Sequence, residues 1–146
     1  MNTLAPAAGS YTGYVPKPTP ETAPFWQGCR DGKLVMPRCK SCGSWIWFPR
    51  PFCPACESWD IEWQGAATGG AVHSFTIVHR PAPGWEARAP YVLAVVEMDA
   101  GPRISAVLDM GVTPTPENVR VGMRVRMDFE VMTPEVTFPM FHPEAA

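Results

Sequence analysis

Cys39-Lys40-Ser41-Cys42-Gly43 and Cys53-Pro54-Ala55-Cys56 decide the reading of this chain. Two residues between paired cysteines let a tight turn aim both sulfurs at one point. Gly43 frees the backbone just past the second ligand of the first pair, and Pro54 stiffens the second turn. Ten residues separate the pairs, so four thiolates are expected to converge on one ion. Tetrahedral sulfur selects Zn2+, with iron the rarer alternative. One such pair alone would fit a redox motif equally well; two at this distance predict a four-cysteine zinc ribbon with ligands Cys39, Cys42, Cys53 and Cys56. A site whose four positions are all filled by protein leaves no vacancy for water or substrate, so the metal is expected to be structural. Such a site contributes on the order of 10–16 kcal/mol of apparent folding energy.

The disulfide alternative fits poorly. Five cysteines leave one over, and the opening Met1-Asn2-Thr3-Leu4-Ala5-Pro6 has no basic residue before an apolar run. No stretch approaches the ~18 apolar residues of a membrane helix. A reducing, cytoplasmic setting is the expectation. The fifth cysteine, Cys29, reads as a buried small hydrophobe.

Proline reaches 18 of 146 residues, against a usual share of about 5%. Long helices are therefore not expected, and short strands with stiff connections are. Residues 1–20 hold Lys17 and no acidic residue among Ala, Gly, Pro, Ser and Thr, which predicts a flexible, proline-rich arm. Residues 21–64 form the helix and ribbon unit. Thr22 is placed as a cap, Pro24 in the first turn and Gly32 as the stop, with Phe25 and Cys29 on one face. Strands are expected at Leu34-Val35-Met36 and at Trp45-Ile46-Trp47-Phe48. The ribbon aromatics, with Trp59 and Trp63, are expected to cover the module, which has little core of its own.

A small-residue connection at 65–70 opens the second unit, residues 65–146. Strand signals fall at 71–79, at 91–98 (apolar enough for burial on both faces) and at 103–109. In 122–132, Met123, Val125, Met127, Phe129 and Val131 are expected inward. Four or five such strands suggest a small barrel of the OB type. The fold class is thus mostly β: a short helix, a rubredoxin-like ribbon and an OB barrel.

Twelve Lys and Arg face fourteen Asp and Glu, for a formal charge of −2. A nucleic-acid binder should show a basic excess, so single-stranded nucleic acid is the weaker of two readings of a ribbon joined to a barrel. His73 and His79 lie six apart on a predicted strand and would share a face; with His142 they read as ordinary histidines. No Ser–His–Asp order, phosphate loop or paired carboxylate is present, so no catalytic residue is assigned.

The chain resembles a family of zinc-ribbon/OB-fold proteins, long catalogued as a domain of unknown function, that accompany thiolase-like enzymes in acyl-CoA metabolism. The matching stretches are Pro24-Phe25-Trp26, Gly32-Lys33-Leu34, Pro37-Arg38-Cys39 with Cys42-Gly43, and Phe48-Pro49-Arg50 with Cys53-Pro54 and Cys56. Phe75-Thr76-Ile77-Val78-His79-Arg80, Pro90-Tyr91-Val92-Leu93-Ala94-Val95-Val96-Glu97, Val121-Gly122-Met123-Arg124-Val125 and Phe141-His142-Pro143 continue the match. It runs in order over residues 24–143. The resemblance implies a non-catalytic subunit joined to a thiolase, thiolase-like aldolase, acyltransferase or hydratase, stabilising that partner and lining its coenzyme A channel. On that implication Lys33, Arg38, Arg50 and Arg80 are candidates to meet coenzyme A phosphates, ahead of Arg88 and Arg103, though a solvated surface charge is the plainer reading of all six. Phe25, Trp26, Trp47 and Phe48 are candidates for the partner interface in a hetero-oligomer.

Overall fold

A computed structural model describes residues 11–144. Of the arm expected over residues 1–20, residues 1–10 lie outside the described residues; residues 11–20 run without helix or strand to a turn at Thr19–Thr22, where the Thr22 hydroxyl accepts from the Thr19 amide at 2.9 Å. Helix α1 (Ala23–Arg30) follows, with a proline in its first turn as expected. Thr22 holds the cap position, but its hydroxyl is engaged with Thr19 and makes no capping bond to the helix. Gly32, at φ 72, ends α1, and the Lys33 amide returns to the Gly28 carbonyl at 2.8 Å. Phe25 and Cys29 are buried on one face, and burying a phenylalanine here is worth about 1.5–3 kcal/mol.

Strand β1 (Val35–Cys39) pairs antiparallel with β2 (Ile61–Gly65), placing Cys39 opposite Ile61. The expected strand at 45–48 reduces to one bridge, Arg38 to Trp45. The Ile46 amide still reaches the Pro37 carbonyl at 2.9 Å, but its side chain turns into a small core with Cys39 and Cys53. The link from β2 to the barrel is residues 66–68.

The barrel closes in the order β3-β4-β5-β7-β6, where β3 is Gly69–Val78, β4 Tyr91–Met98, β5 Arg103–Leu108, β6 Arg124–Val131 and β7 Thr137–Pro143. In β4, Val92, Ala94, Val96 and Met98 are buried whereas Leu93 and Glu97 are exposed, so the strand is one-sided rather than buried on both faces. In β6, Val125 and Met127 are buried and Phe129 half-buried, as is Met123 just before the strand, but Val131, expected inward, is 53% exposed. The register to β7 is unbroken through Val131 opposite Thr137, so Val131 keeps the inward parity but sits at the last position of the strand, where it is exposed.

Arg88 also departs from expectation. It is 6% exposed, not a solvated charge: its guanidinium meets Glu130 at 2.9 Å and lies 4.8 Å over the Trp85 ring. It thereby ties the connection between β3 and β4 to the end of β6. The main core runs unbroken from Phe25, Cys29, Leu34 and Met36 into Val92, Val96, Leu108, Val125 and Phe141, so the helix and the barrel share one interior.

Candidate metal centre and aromatic face

The ligand atoms of Cys39, Cys42, Cys53 and Cys56 all lie within 4.8 Å of one another. Sulfurs of Cys39 and Cys56, and of Cys42 and Cys53, are 3.6 Å apart. A tetrahedron with Zn–S near 2.3 Å requires sulfurs about 3.8 Å apart, so the four fit one zinc ion.

The two turns that carry them repeat each other bond for bond. The Cys39 amide donates to the Ser44 carbonyl at 2.9 Å, and the Cys53 amide to the Ser58 carbonyl at 2.8 Å. The Gly43 amide reaches the Cys39 carbonyl at 2.9 Å, and the Glu57 amide the Cys53 carbonyl at 2.8 Å. The residue after each second ligand is left-handed: Gly43 at φ 79 and Glu57 at φ 64. Cys39 and Cys53 are buried while Cys42 and Cys56 face solvent, so the site sits at the surface with its deeper half sealed by Ile46 and Ile61.

The electrostatics call for a cation. Ser44, through its hydroxyl and its amide, holds the Cys42 thiol down to about 6. The Ser58 amide favours a Cys56 thiolate as well, yet Cys39, burial, Cys42 and Cys53 together push that thiol up to about 12. Four sulfurs this close cannot all ionise without a counter-charge, and zinc supplies it. Cys29 stands apart, its thiol pushed up to about 12 by burial, as an inert core residue.

The remaining candidates scatter. Lys33 lies in the turn after α1, Arg38 on β1, Arg50 in the loop between the knuckles and Arg80 just past β3. Arg38 is already engaged: its Nε donates to the Gly43 carbonyl at 2.9 Å and its guanidinium lies 4.8 Å over Trp45. Lys33, Arg50 and Arg80 are exposed, with no ion pair among the described residues. His73 and His79 do not share a face by spacing. A bulge falls between Val72 and Ser74, so His73 drops out of register and the two-residue period is lost; both histidines are exposed.

The aromatics divide by burial. Phe25 is buried, Trp26 and Trp47 half-buried, and Phe48 54% exposed. They form a run of edge contacts, with centroids 5.1 Å apart for Phe25–Trp26, 5.0 Å for Phe25–Trp47 and 5.5 Å for Trp47–Phe48. Trp63 does pack against the core, but Trp59, expected to cover the module, is 72% exposed and touches Phe52.

A closed four-sulfur ribbon, one short helix and a five-stranded OB barrel sharing one core define a zinc-ribbon/OB-fold protein. A family model described as the ChsH2 rubredoxin-like zinc ribbon domain matches residues 26–62, and one described as the ChsH2 C-terminal OB-fold domain matches residues 63–130. DUF35 domain-containing scaffold proteins from Methanocaldococcus jannaschii and Pyrococcus furiosus are 37% and 35% identical over 101 and 104 residues. Those alignments cover 66% and 70% of this chain and 67% and 74% of the relatives. The chain belongs to this DUF35 family of ChsH2-type proteins. A probable enoyl-CoA hydratase alpha subunit from Thermomonospora curvata is 36% identical over 121 residues, 82% of this chain, but the match spans 36% of that longer relative. Among solved structures, a chain of an Ltp2-ChsH2(DUF35) aldolase superposes with TM-score 0.76 at 34% identity, covering 88% of this chain and 98% of that one. A DUF35 protein from Sulfolobus solfataricus, at 17% identity and TM-score 0.58, with 86% of each chain covered, shares the fold.

Proposed function

We infer that this chain is a non-catalytic accessory subunit of a thiolase-fold enzyme acting on acyl-CoA esters. The observation that carries the reading is the 34% identity, over 88% of this chain and 98% of the other, to a chain of an Ltp2-ChsH2(DUF35) aldolase. The site chemistry supports it: a closed metal does not activate water, and neither exposed histidine is in an ion pair among the described residues. The bond-making chemistry then belongs to the partner. The aromatic run ending at Phe48 is the surface offered to it, with Trp26 and Trp47 as flanks and Phe25 as buried support. Lys33, Arg50 and Arg80 are the free cations offered to the phosphates of a coenzyme A ester in that complex.

Purification of the tagged chain from its native host tests this. A thiolase-fold enzyme is expected to accompany it, and Phe48→Glu is expected to release that enzyme while zinc stays bound. The isolated chain is expected to show no thiolysis, aldol cleavage or hydration of acyl-CoA esters. Turnover by the chain alone, or recovery without any such enzyme, refutes the reading.

A further inference from the structure

The barrel is held shut between β5 and β7 by one residue pair, Leu108 with Phe141, where the Asp109 amide donates to the Phe141 carbonyl at 2.7 Å. Backbone groups of successive residues in a strand point to opposite neighbours. Phe141 therefore turns its amide and carbonyl toward β5, and Pro139 and Pro143 turn their carbonyls the same way. Pro139 has no N–H to give, so the pairing stops on that side of Phe141. On β5, Pro102 gives its carbonyl to the Met98 amide of β4 at 2.9 Å, so even-numbered residues serve β4. Ser105 and Arg103 thus point their amides and carbonyls into the gap, where β7 does not pair with them.

Beside this unpaired edge runs an apolar groove of about 250 Å³, walled by Trp85, Leu93, Val107, Phe138 and Met140, with Pro16 of the arm at its rim. No charged side chain lines it, so it offers no partner to a charged occupant and favours an uncharged one. It is smaller than the ~300–1,000 Å³ of small-molecule clefts and is broadly open to solvent, which suits an extended chain better than an enclosed ligand. It is also continuous with the surface assigned above to the partner, because Phe138 lies 6.3 Å from Trp26 and Trp26 leads through Phe25 and Trp47 to Phe48.

We propose that an extended, uncharged segment of the partner enzyme adds to the free edge of β5, bonding to the backbone of Ser105 and seating its apolar side chains between Leu93 and Phe138. The proposal rests on the accessory-subunit reading and names where the partner binds. A strand added to an edge draws affinity from main-chain bonds and specificity from alternate side-chain pockets.

Ser105→Pro is the decisive variant, because it deletes a donor that faces the gap and leaves the ladder to β4 intact. Ala106→Pro, which removes a β4-facing donor, is the control expected to destabilise the barrel. In the complex co-purified from the native host, Ser105→Pro and Leu93→Glu are each expected to weaken partner binding at least tenfold with zinc content and unfolding midpoint retained. Amide exchange over residues 103–107 is expected to slow at least tenfold in the complex relative to the free chain. Retention of the enzyme by both variants, with release by Phe48→Glu, overturns the strand addition and leaves the accessory role standing. Absence of any co-purifying enzyme overturns both. Self-association of the free chain that Ser105→Pro abolishes assigns the edge to a second copy and likewise overturns the proposal. Should Ser105→Pro fail to fold, Leu93→Glu and the exchange measurement decide alone.

Discussion

The buried Arg88–Glu130 pair invites a perturbation whose two halves should behave differently. Their side chains are 4% and 19% exposed, and the guanidinium makes two contacts to the carboxylate, at 2.9 and 3.3 Å. Removing the acid with Glu130→Leu strands a cation that cannot shed its proton, and breaking a buried pair this way costs about 3–5 kcal/mol. Removing the base with Arg88→Met strands a carboxyl that can take up a proton. Burial, opposed by Arg88, already holds Glu130 above its ordinary 4.5. The folded state therefore keeps this proton to higher pH than the unfolded chain, and the group's contribution to stability falls as pH rises from 4.5 through its folded value. Protonating an ordinary carboxyl costs about 1.36 kcal/mol per pH unit above its pKa, so Arg88→Met is capped near 3.4 kcal/mol at pH 7 and near 0.7 kcal/mol at pH 5. The double variant Arg88→Met/Glu130→Leu, apolar on both sides, is expected within about 1 kcal/mol of the parent at pH 7. Urea unfolding of the four proteins with excess zinc, at both pH values, measures all of this. A Glu130→Leu cost below about 1 kcal/mol, or an Arg88→Met penalty that does not shrink in acid, refutes the reasoning.

Two further predictions concern the ribbon. One zinc per chain is expected by elemental analysis, and Cys39→Ser or Cys53→Ser, which remove the buried ligands, should cost soluble protein; well-folded metal-free protein or a red, redox-active product would contradict a structural zinc. The paired knuckles make a signed prediction about handedness: Gly43→Ala should lower stability by about 1–2 kcal/mol, whereas Glu57→Gly, at the equivalent left-handed position, should be neutral or stabilising in the same unfolding assay.

The zinc ligands, the short helix ended by Gly32, the barrel class and the strand limits of β4 were legible in the chain because each rests on local chemistry. Ligand spacing, a glycine in left-handed backbone, an unbroken apolar run and a turn at Gly101 act over a few residues. Strand β2 had a readable signal, since Ile61 and Trp63 alternate with polar neighbours, but the five-residue segment was masked by the adjacent ribbon. Strand β7 was hidden by Pro139 and Pro143, which argue against any strand until the neighbour on their side is known to be nearly absent.

What only the tertiary structure decided are questions of partnership across long sequence separations. Arg88 and Glu130 are 42 positions apart in the chain, and nothing near Arg88 marks it as buried. The bulge at His73 exists only against β4, and it undoes a face-sharing argument that assumed an even period. Trp59 and Phe48 are the same residue types as Trp63 and Phe25, yet the first two face outward while the last two pack into the shared core of helix and barrel. Local sequence sets backbone conformation and ligand geometry. Which apolar side chains are left over, and therefore what surface is offered to another protein, depends on how two halves close on one interior.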